Sequence, residues 1–328
     1  MGKRIDYIDY LKGLSVTWVV WYHTEHPTFV DYSFRIPLFF FVSGIFFKAY
    51  PWKIFWRKKI NQLVIPFILF YLIYYIYLLG INFLKYNSLE HFRFLCLLDM
   101  FQTYSGNESF TVNPPLWFIC ALINLQLLLY ASINLLKQNW YILIFSFIIS
   151  IIGLFYIHNC QTPFMIGRSL PYFVYYVLGF IFGKKILYQL ENSQSYSIKI
   201  GFFCLITFIL LLINNQSQQT FISELFNYLQ NISIIILLII TFKNIYSNPI
   251  VLPLKYFGLN SYIVLGMHEI YHTTFRIIIE NIFGYISVTL GIIQTLLTLT
   301  LLWPTIYLLN KYIPFLVAKQ DLIPIPKQ

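Results

Sequence analysis

Charge is what this sequence has least of. Asp, Glu, Lys and Arg make up 10% of its 328 residues while 59% are hydrophobic, against about 25% charged in an average soluble domain. Water is therefore excluded as the main solvent, and the bilayer takes its place. Cysteine is sparse too: the four at 96, 120, 160 and 204 form no CxxC pair and keep no regular spacing, which argues against a disulfide framework. The net charge of +10 lacks the interleaved basic and aromatic patch of a nucleic-acid-binding surface, because the basic residues sit between apolar stretches. Lys3 and Arg4 precede the first apolar segment as in a signal peptide, but no small-residue cleavage site follows and the segment carries Asp9, Lys12 and His23; it is expected to stay attached as a span. No linker rich in Pro, Gly or Ser and no internal repeat divides the chain, so residues 1–328 are expected to form one membrane domain with no separate soluble domain.

What is abundant fits that solvent. Aromatic residues reach 20%, with 27 Tyr and 33 Phe, more than one core holds, so many are expected to face lipid or form interfacial belts. Apolar runs near 20 residues read as transmembrane helices, and ten are found, at about 8–24, 34–50, 63–84, 115–136, 140–157, 170–187, 199–213, 229–246, 258–276 and 285–309. Segment 89–103 reads instead as an amphipathic interfacial piece. The expected fold class is all-α, a polytopic integral membrane helical bundle in the cytoplasmic membrane. Lys and Arg collect in cytoplasmic loops; with both termini inside, seventeen of the 22 fall on that side and five, Arg35, Lys85, Arg93, Arg168 and Arg276, on the other. An even number of spans returns the C-terminus to the cytoplasm, as that split requires.

Polar residues inside such segments are costly, at least about 2.5–3.5 kcal/mol for a charge at mid-membrane, and so are default functional candidates. In RIDYIDYLKGLSVTWVVWYH, Lys12 and His23 are eleven residues apart, close to three helical turns, on one face and roughly 16 Å apart along the axis. They mark two ends of a polar path, with Lys12 inner and His23 outer, and Asp9 is spaced to pair with Lys12. The plainer reading is that both snorkel to the interfaces. Proton transfer and metal ligation are the other common uses of imidazole, and no second ligand stands near His23 at metal-binding spacing. His26, followed by Pro27, is expected at the outer surface. In SFRIPLFFFVSGIFFK, Ser43 and Gly44 let backbones approach, while Arg35, like Arg168, is a lone outer cation suited to an anionic acceptor or an oxyanion, or to a structural pair with Glu25 or Asp31. The run His268-Glu269-Ile270-Tyr271-His272 has the letters HExxH of a zinc helix; no third ligand stands nearby, and no metal is expected.

Four blocks resemble the membrane acyltransferase 3 family, whose members O-acylate envelope glycans. The first is RIDYIDYLKGLSVTWVVWYH, where the family has a basic residue, ten residues and a His; Lys12 stands here where many members have Arg. FRIPLFFFVSGIFFK follows, then KKINQLVIPF at 58–67 and PLWFICALINLQLL at 115–128, with weaker echoes in YFVYYVLGFIFGK and NSYIVLGMH. The Lys form and the wording of the second block are similar to the branch of fucose 4-O-acetyltransferase-like and poly-N-acetylglucosamine-modifying proteins. The resemblance implies an acyl-CoA donor, most often acetyl-CoA, used as a substrate with no permanently bound cofactor, and a polysaccharide or glycolipid acceptor. It implies His23 as base or acyl carrier and Arg35 beside it as catalytic residues. Lys12, Arg57, Lys58 and Lys59 would hold the donor phosphates, although a basic run beside a span also serves topology. Ser43, Trp117, Arg168 and His268 would contact the acceptor. Expected partners are membrane lipid and other glycan synthesis or export proteins, with no nucleic acid; acceptor handling would fall to the membrane domain or to such a partner. The competing class is a secondary transporter or glycan exporter, although neither an inverted repeat nor paired broken helices are seen; a structural or sensory membrane protein would leave Lys12, His23 and Arg35 without a role.

Overall fold

A computed structural model describes residues 5–24, 34–106, 108–213 and 221–326. Lys3, Arg4, Glu25, His26, Pro27 and Asp31 lie outside them. Among the described residues the chain is almost entirely helical: α1 (Asp6–Tyr22), α2 (Arg35–Ile45), α3 (Trp52–Lys59), α4 (Ile65–Tyr86), α5 (Trp117–Leu136), α6 (Asn139–Ile152), α7 (Ile166–Ser169), α8 (Phe173–Leu178), α9 (Lys184–Asn192), α10 (Gln194–Ile213), α11 (Phe221–Ile245), α12 (Leu252–Leu259), α13 (Ser261–Phe283) and α14 (Val288–Tyr312). A two-residue ribbon pairs β1 (Thr103–Tyr104) antiparallel with β2 (Thr162–Pro163). The expected interfacial piece is a short 3-10 helix, Phe94–Phe101.

Each of the ten predicted segments contains helix, although 34–50 is helical only over Arg35–Ile45 and 285–309 only from Val288. By length and composition six helical stretches among the described residues can cross a membrane, or seven if Pro249–Leu259 and Ser261–Phe283 form one broken span. The predicted first and second spans fall short: α1 has 17 residues and α2 has 11, about 26 Å and 17 Å at 1.5 Å per residue, against about 30 Å of hydrocarbon. Large apolar side chains stand fully outward along the helices, Ile76 on α4, Phe203 on α10 and Leu296 on α14 among them. Lipid is the solvent that suits such surfaces. The all-α, multi-pass membrane architecture therefore follows from both sequence and structure.

The chain forms two compact units. One comprises Met1–Val19, Val30–Phe47 and Val174–Leu259. Within it, glycines allow backbones to touch: a methyl on Gly44 would collide with the Tyr176 carbonyl, and one on Gly179 with the Phe41 carbonyl. This reciprocal contact realises the packing role read for Gly44. Lys255 Nζ reaches Asp6 Oδ1 at 3.3 Å, and Lys12 Nζ lies 4.0 Å from Asp9 Oδ1, the i,i+3 pair read from the sequence.

The second unit comprises Val20–Phe29, Lys48–Phe173 and Asn260–Gln328. Here α13 packs against both α14 and α4. Phe70 of α4 lies on Gly266, where any side chain would meet its ring, and Asn113 Nδ2 donates to the Gly266 carbonyl at 2.9 Å. Gly284, left-handed at φ 73°, ends α13, and the Ser287 hydroxyl accepts from Leu290 N at 3.3 Å to start α14, so the turn between them is encoded by its two cap residues. These contacts fix the face of α13 that carries the site.

Candidate active site

The site begins where α1 ends. After Tyr22 the chain turns, with Thr24 N and Thr24 Oγ1 both bonded to the Trp21 carbonyl at 3.1 and 2.8 Å, and Thr24 rests over Gly291 of α14. His23 is held at this turn with its side chain 27% exposed. Facing it is α13, an apolar helix that brings His268, Glu269, His272 and Thr273 to neighbouring positions. His23 Nδ1 lies 3.9 Å from Glu269 Oε2. The His23 ring centre is 5.3 Å from that of His268 and 6.4 Å from that of His272.

Each member is held by the shell around it. His268 is fully buried, and its Nδ1 is 2.7 Å from the Val264 carbonyl. A carbonyl only accepts, so the proton of the neutral ring sits on Nδ1 and Nε2 presents a lone pair. Thr273 Oγ1 donates to Glu269 Oε1 at 3.4 Å and is itself 3.2 Å from the Tyr74 hydroxyl. Gln294 of α14 donates to the His272 carbonyl at 2.9 Å. Among the described residues, His268 Nε2, Glu269 Oε2 and His272 Nε2 are buried without a hydrogen-bond partner. Buried polar atoms left in this state are uncommon and mark places where a substrate, water or ion belongs.

The other expected residues sort by unit. Within the second unit, Trp117 and Arg168 come together: the guanidinium sits 3.9 Å from the indole centre and donates to the Glu108 carbonyl at 3.0 Å, a cation–π pair that holds the cation in one orientation. The basic run diverges around α3: Arg57 donates to the Pro324 carbonyl at 2.9 Å, Lys58 lies 3.6 Å over the Tyr50 ring and Lys59 5.3 Å over the Phe55 ring. In the first unit, Arg35 is buried at the start of α2, where its carbonyl accepts from Ser15 Oγ at 2.6 Å, and Ser43 is half-buried on the same helix. Lys12, also in the first unit, lies 5.3 Å over the Phe46 ring. Glu25 and Asp31, weighed as partners of Arg35, are outside the described residues.

Glu269, His272, Thr273 and Tyr74 were given no role by the acyl-transfer reading. The signal for Glu269 was present, since a carboxylate in an apolar helix is a functional candidate by default. Its letters were absorbed into HExxH, and the fold breaks that pattern. His268 and Glu269 group with His23, from 245 positions earlier, rather than with His272.

Fold and cluster together define a multi-pass membrane protein whose histidine–carboxylate site is built where the end of α1 meets α13. The match to known proteins then specifies the class: the family model described as an acyltransferase domain covers residues 5–317, running through both units, and the chain belongs to the membrane acyltransferase 3 family. It is a membrane acyltransferase. No curated protein and no solved structure matches it.

Proposed function

We propose that the protein is an O-acyltransferase of the cytoplasmic membrane that moves an acyl group, in first place acetyl, from cytoplasmic acyl-CoA to a hydroxyl of a cell-surface or exported polysaccharide or glycolipid. The observation that carries this reading is the His23–Glu269 pair at 3.9 Å beside the buried lone pair of His268. The carboxylate faces Nδ1, so Nε2 of His23 is left to take the proton of the acceptor hydroxyl, and Glu269 stabilises the imidazolium that forms. The acceptor oxygen attacks the thioester carbonyl carbon, the C–S bond breaks, and the CoA thiolate leaves and is protonated by solvent. His268 Nε2 is suited to accept a hydrogen bond from a second hydroxyl of the acceptor. The Arg168–Trp117 pair and Ser43 would hold the acceptor, Arg35 would stabilise the developing oxyanion, and Lys12, Arg57, Lys58 and Lys59 would meet the donor phosphates.

In this reading the chain makes ten spans with both termini cytoplasmic, the short α1 and α2 crossing with local thinning of the bilayer or polar lining, in a single membrane domain that works with other glycan synthesis or export proteins and contacts no nucleic acid. Its branch is that of the fucose 4-O-acetyltransferase-like and poly-N-acetylglucosamine-modifying proteins. The test is direct: purified protein in lipid, given labelled acetyl-CoA and a crude envelope glycan, labels the glycan, and His23→Ala abolishes labelling while expression is unchanged. Full labelling by that variant removes the mechanism. Substrate movement without thioester consumption would identify a transporter instead.

A further inference from the structure

The cluster holds more coordinating atoms than a proton transfer uses. One ring nitrogen from each of His23 and His268 and one carboxylate oxygen of Glu269 all lie within 4.8 Å of one another. His268 supplies its Nε2 lone pair from a fully buried ring whose Nδ1 is fixed on the Val264 carbonyl. This is the state in which imidazole ligates a metal, with the second nitrogen anchored to a backbone oxygen. Glu269 Oε2, also buried, has no hydrogen-bond partner among the described residues. Two imidazoles and a carboxylate make a donor set that zinc accepts, with a fourth position left open.

The geometry needs modest closure. Zinc bonds of about 2.0–2.2 Å place tetrahedral ligand atoms roughly 3.3–3.5 Å apart, so the widest present separation would shrink by about 1.5 Å. His23 can supply that movement, since it lies beyond the end of α1 with its side chain 27% exposed. The set differs from the one that HExxH spells. There the two histidines of one helix ligate and the glutamate is spared; here Glu269 is a donor and His23 replaces His272.

We propose that His23, His268 and Glu269 form a binding site for a divalent transition-metal ion, with zinc as its probe, and that the bound ion blocks acyl transfer. Binding stands on the geometry alone, whereas blocking rests on the base role proposed for His23. Whichever nitrogen of His23 ligates, the base is lost: a bond through Nε2 occupies the lone pair directly, and a bond through Nδ1 leaves the neutral ring with its proton on Nε2. Arg276, farther along α13, is close enough for its charge to bear on Glu269 and sets a limit on affinity.

The full chain in lipid nanodiscs, titrated with zinc against a chromogenic chelator, should bind one ion per chain. His268→Gln and Glu269→Gln should each weaken binding at least tenfold, while His272→Gln leaves it within twofold. Absence of stoichiometric binding, equal binding by His268→Gln, or loss of binding in His272→Gln overturns the site. Should the variants not fold, cobalt(II) added to the unaltered chain decides: intense visible bands of a four-coordinate ion support the site, and a pale six-coordinate spectrum overturns it. In the labelled acetyl-CoA assay, stoichiometric zinc should inhibit and a chelator restore activity. Zinc bound without effect overturns the blocking. Activity that requires zinc leaves the site standing and overturns both the blocking and the base role of His23, so the two readings fail separately.

Discussion

Replacing Glu269 by Gln keeps the shape of the side chain and removes its charge, which isolates the electrostatic part of the proposed chemistry. At the 3.9 Å between Glu269 Oε2 and His23 Nδ1, an imidazolium and a carboxylate attract by about 4 kcal/mol at an effective dielectric of about 20. His23 is partly exposed, and solvent screening reduces this toward about 2 kcal/mol. At 1.36 kcal/mol per decade, Glu269→Gln should lower kcat by roughly 30- to 1,000-fold. That stays below the upper limit of about 10⁴ that general-base catalysis contributes as a whole, as it must, because a residue acting through His23 cannot matter more than His23 itself. Initial rates of label transfer over a range of acetyl-CoA concentrations separate kcat from KM. The donor KM should stay within twofold, since Glu269 is not among the residues proposed to meet the donor, and Glu269→Asp should recover part of kcat. A Glu269→Gln protein that is folded, monodisperse and within threefold of the unaltered kcat would refute the pairing.

Three further outcomes are expected. Gly44→Leu drives a side chain into the Tyr176 carbonyl, and overpacking of this kind costs about 1–3 kcal/mol; a thermal-shift assay should show a lower Tm, and an unchanged Tm would contradict the packing of α2. Arg168→Lys loses the planar stacking on Trp117 at 3.9 Å, worth about 0.5–2 kcal/mol, and should raise the acceptor KM at least about twofold without changing that of acetyl-CoA. Asn61 both donates to the Ile323 carbonyl at 2.8 Å and accepts from Ile323 N at 2.9 Å; Asn61→Ala removes two bonds of about 1 kcal/mol each and should speed hydrogen exchange at the Ile323 amide about tenfold or more, with unchanged protection arguing against a pinned C-terminal segment.

Helices were the legible part of the fold because hydropathy reports where chain meets hydrocarbon. The predicted 63–84 and 115–136 correspond to Ile65–Tyr86 and Trp117–Leu136. Boundaries drift where helix and hydrocarbon part company: α11 starts at Phe221, eight residues before the predicted 229, since backbone hydrogen bonding continues through Glu224 and Asn227, which no hydropathy window favours. For the site, spacing relates a residue only to neighbours on its own helix. It paired Lys12 with Asp9, but it could not reveal that His23 meets Glu269, or that Trp117 meets Arg168, because these contacts join helices. The one local pattern available does not contain the His23 contact either. His268 and His272 are four apart and share letters with zinc helices, yet the nitrogen that joins His268 belongs to α1's end.

The stability cost of Glu269 separates a functional carboxylate from a structural one. It is largely buried, with one oxygen held by Thr273 at 3.4 Å and the other without a hydrogen-bond partner among the described residues. A buried polar atom in that state costs about 1–3 kcal/mol, and exchanging buried ionic groups for apolar ones of similar volume is often neutral or stabilising by about 1–4 kcal/mol. If the carboxylate is kept for chemistry, Glu269→Met should abolish acyl transfer while leaving Tm unchanged or raising it by a few degrees, because about 1 kcal/mol corresponds to roughly 2–4 °C in a domain of moderate size. If it is kept for structure, as the partner that neutralises a cation within α13's surroundings, the same change should lower Tm by several degrees and transfer should be lost only in proportion to folded protein. The second result would remove Glu269 from the mechanism even if Glu269→Gln were inactive.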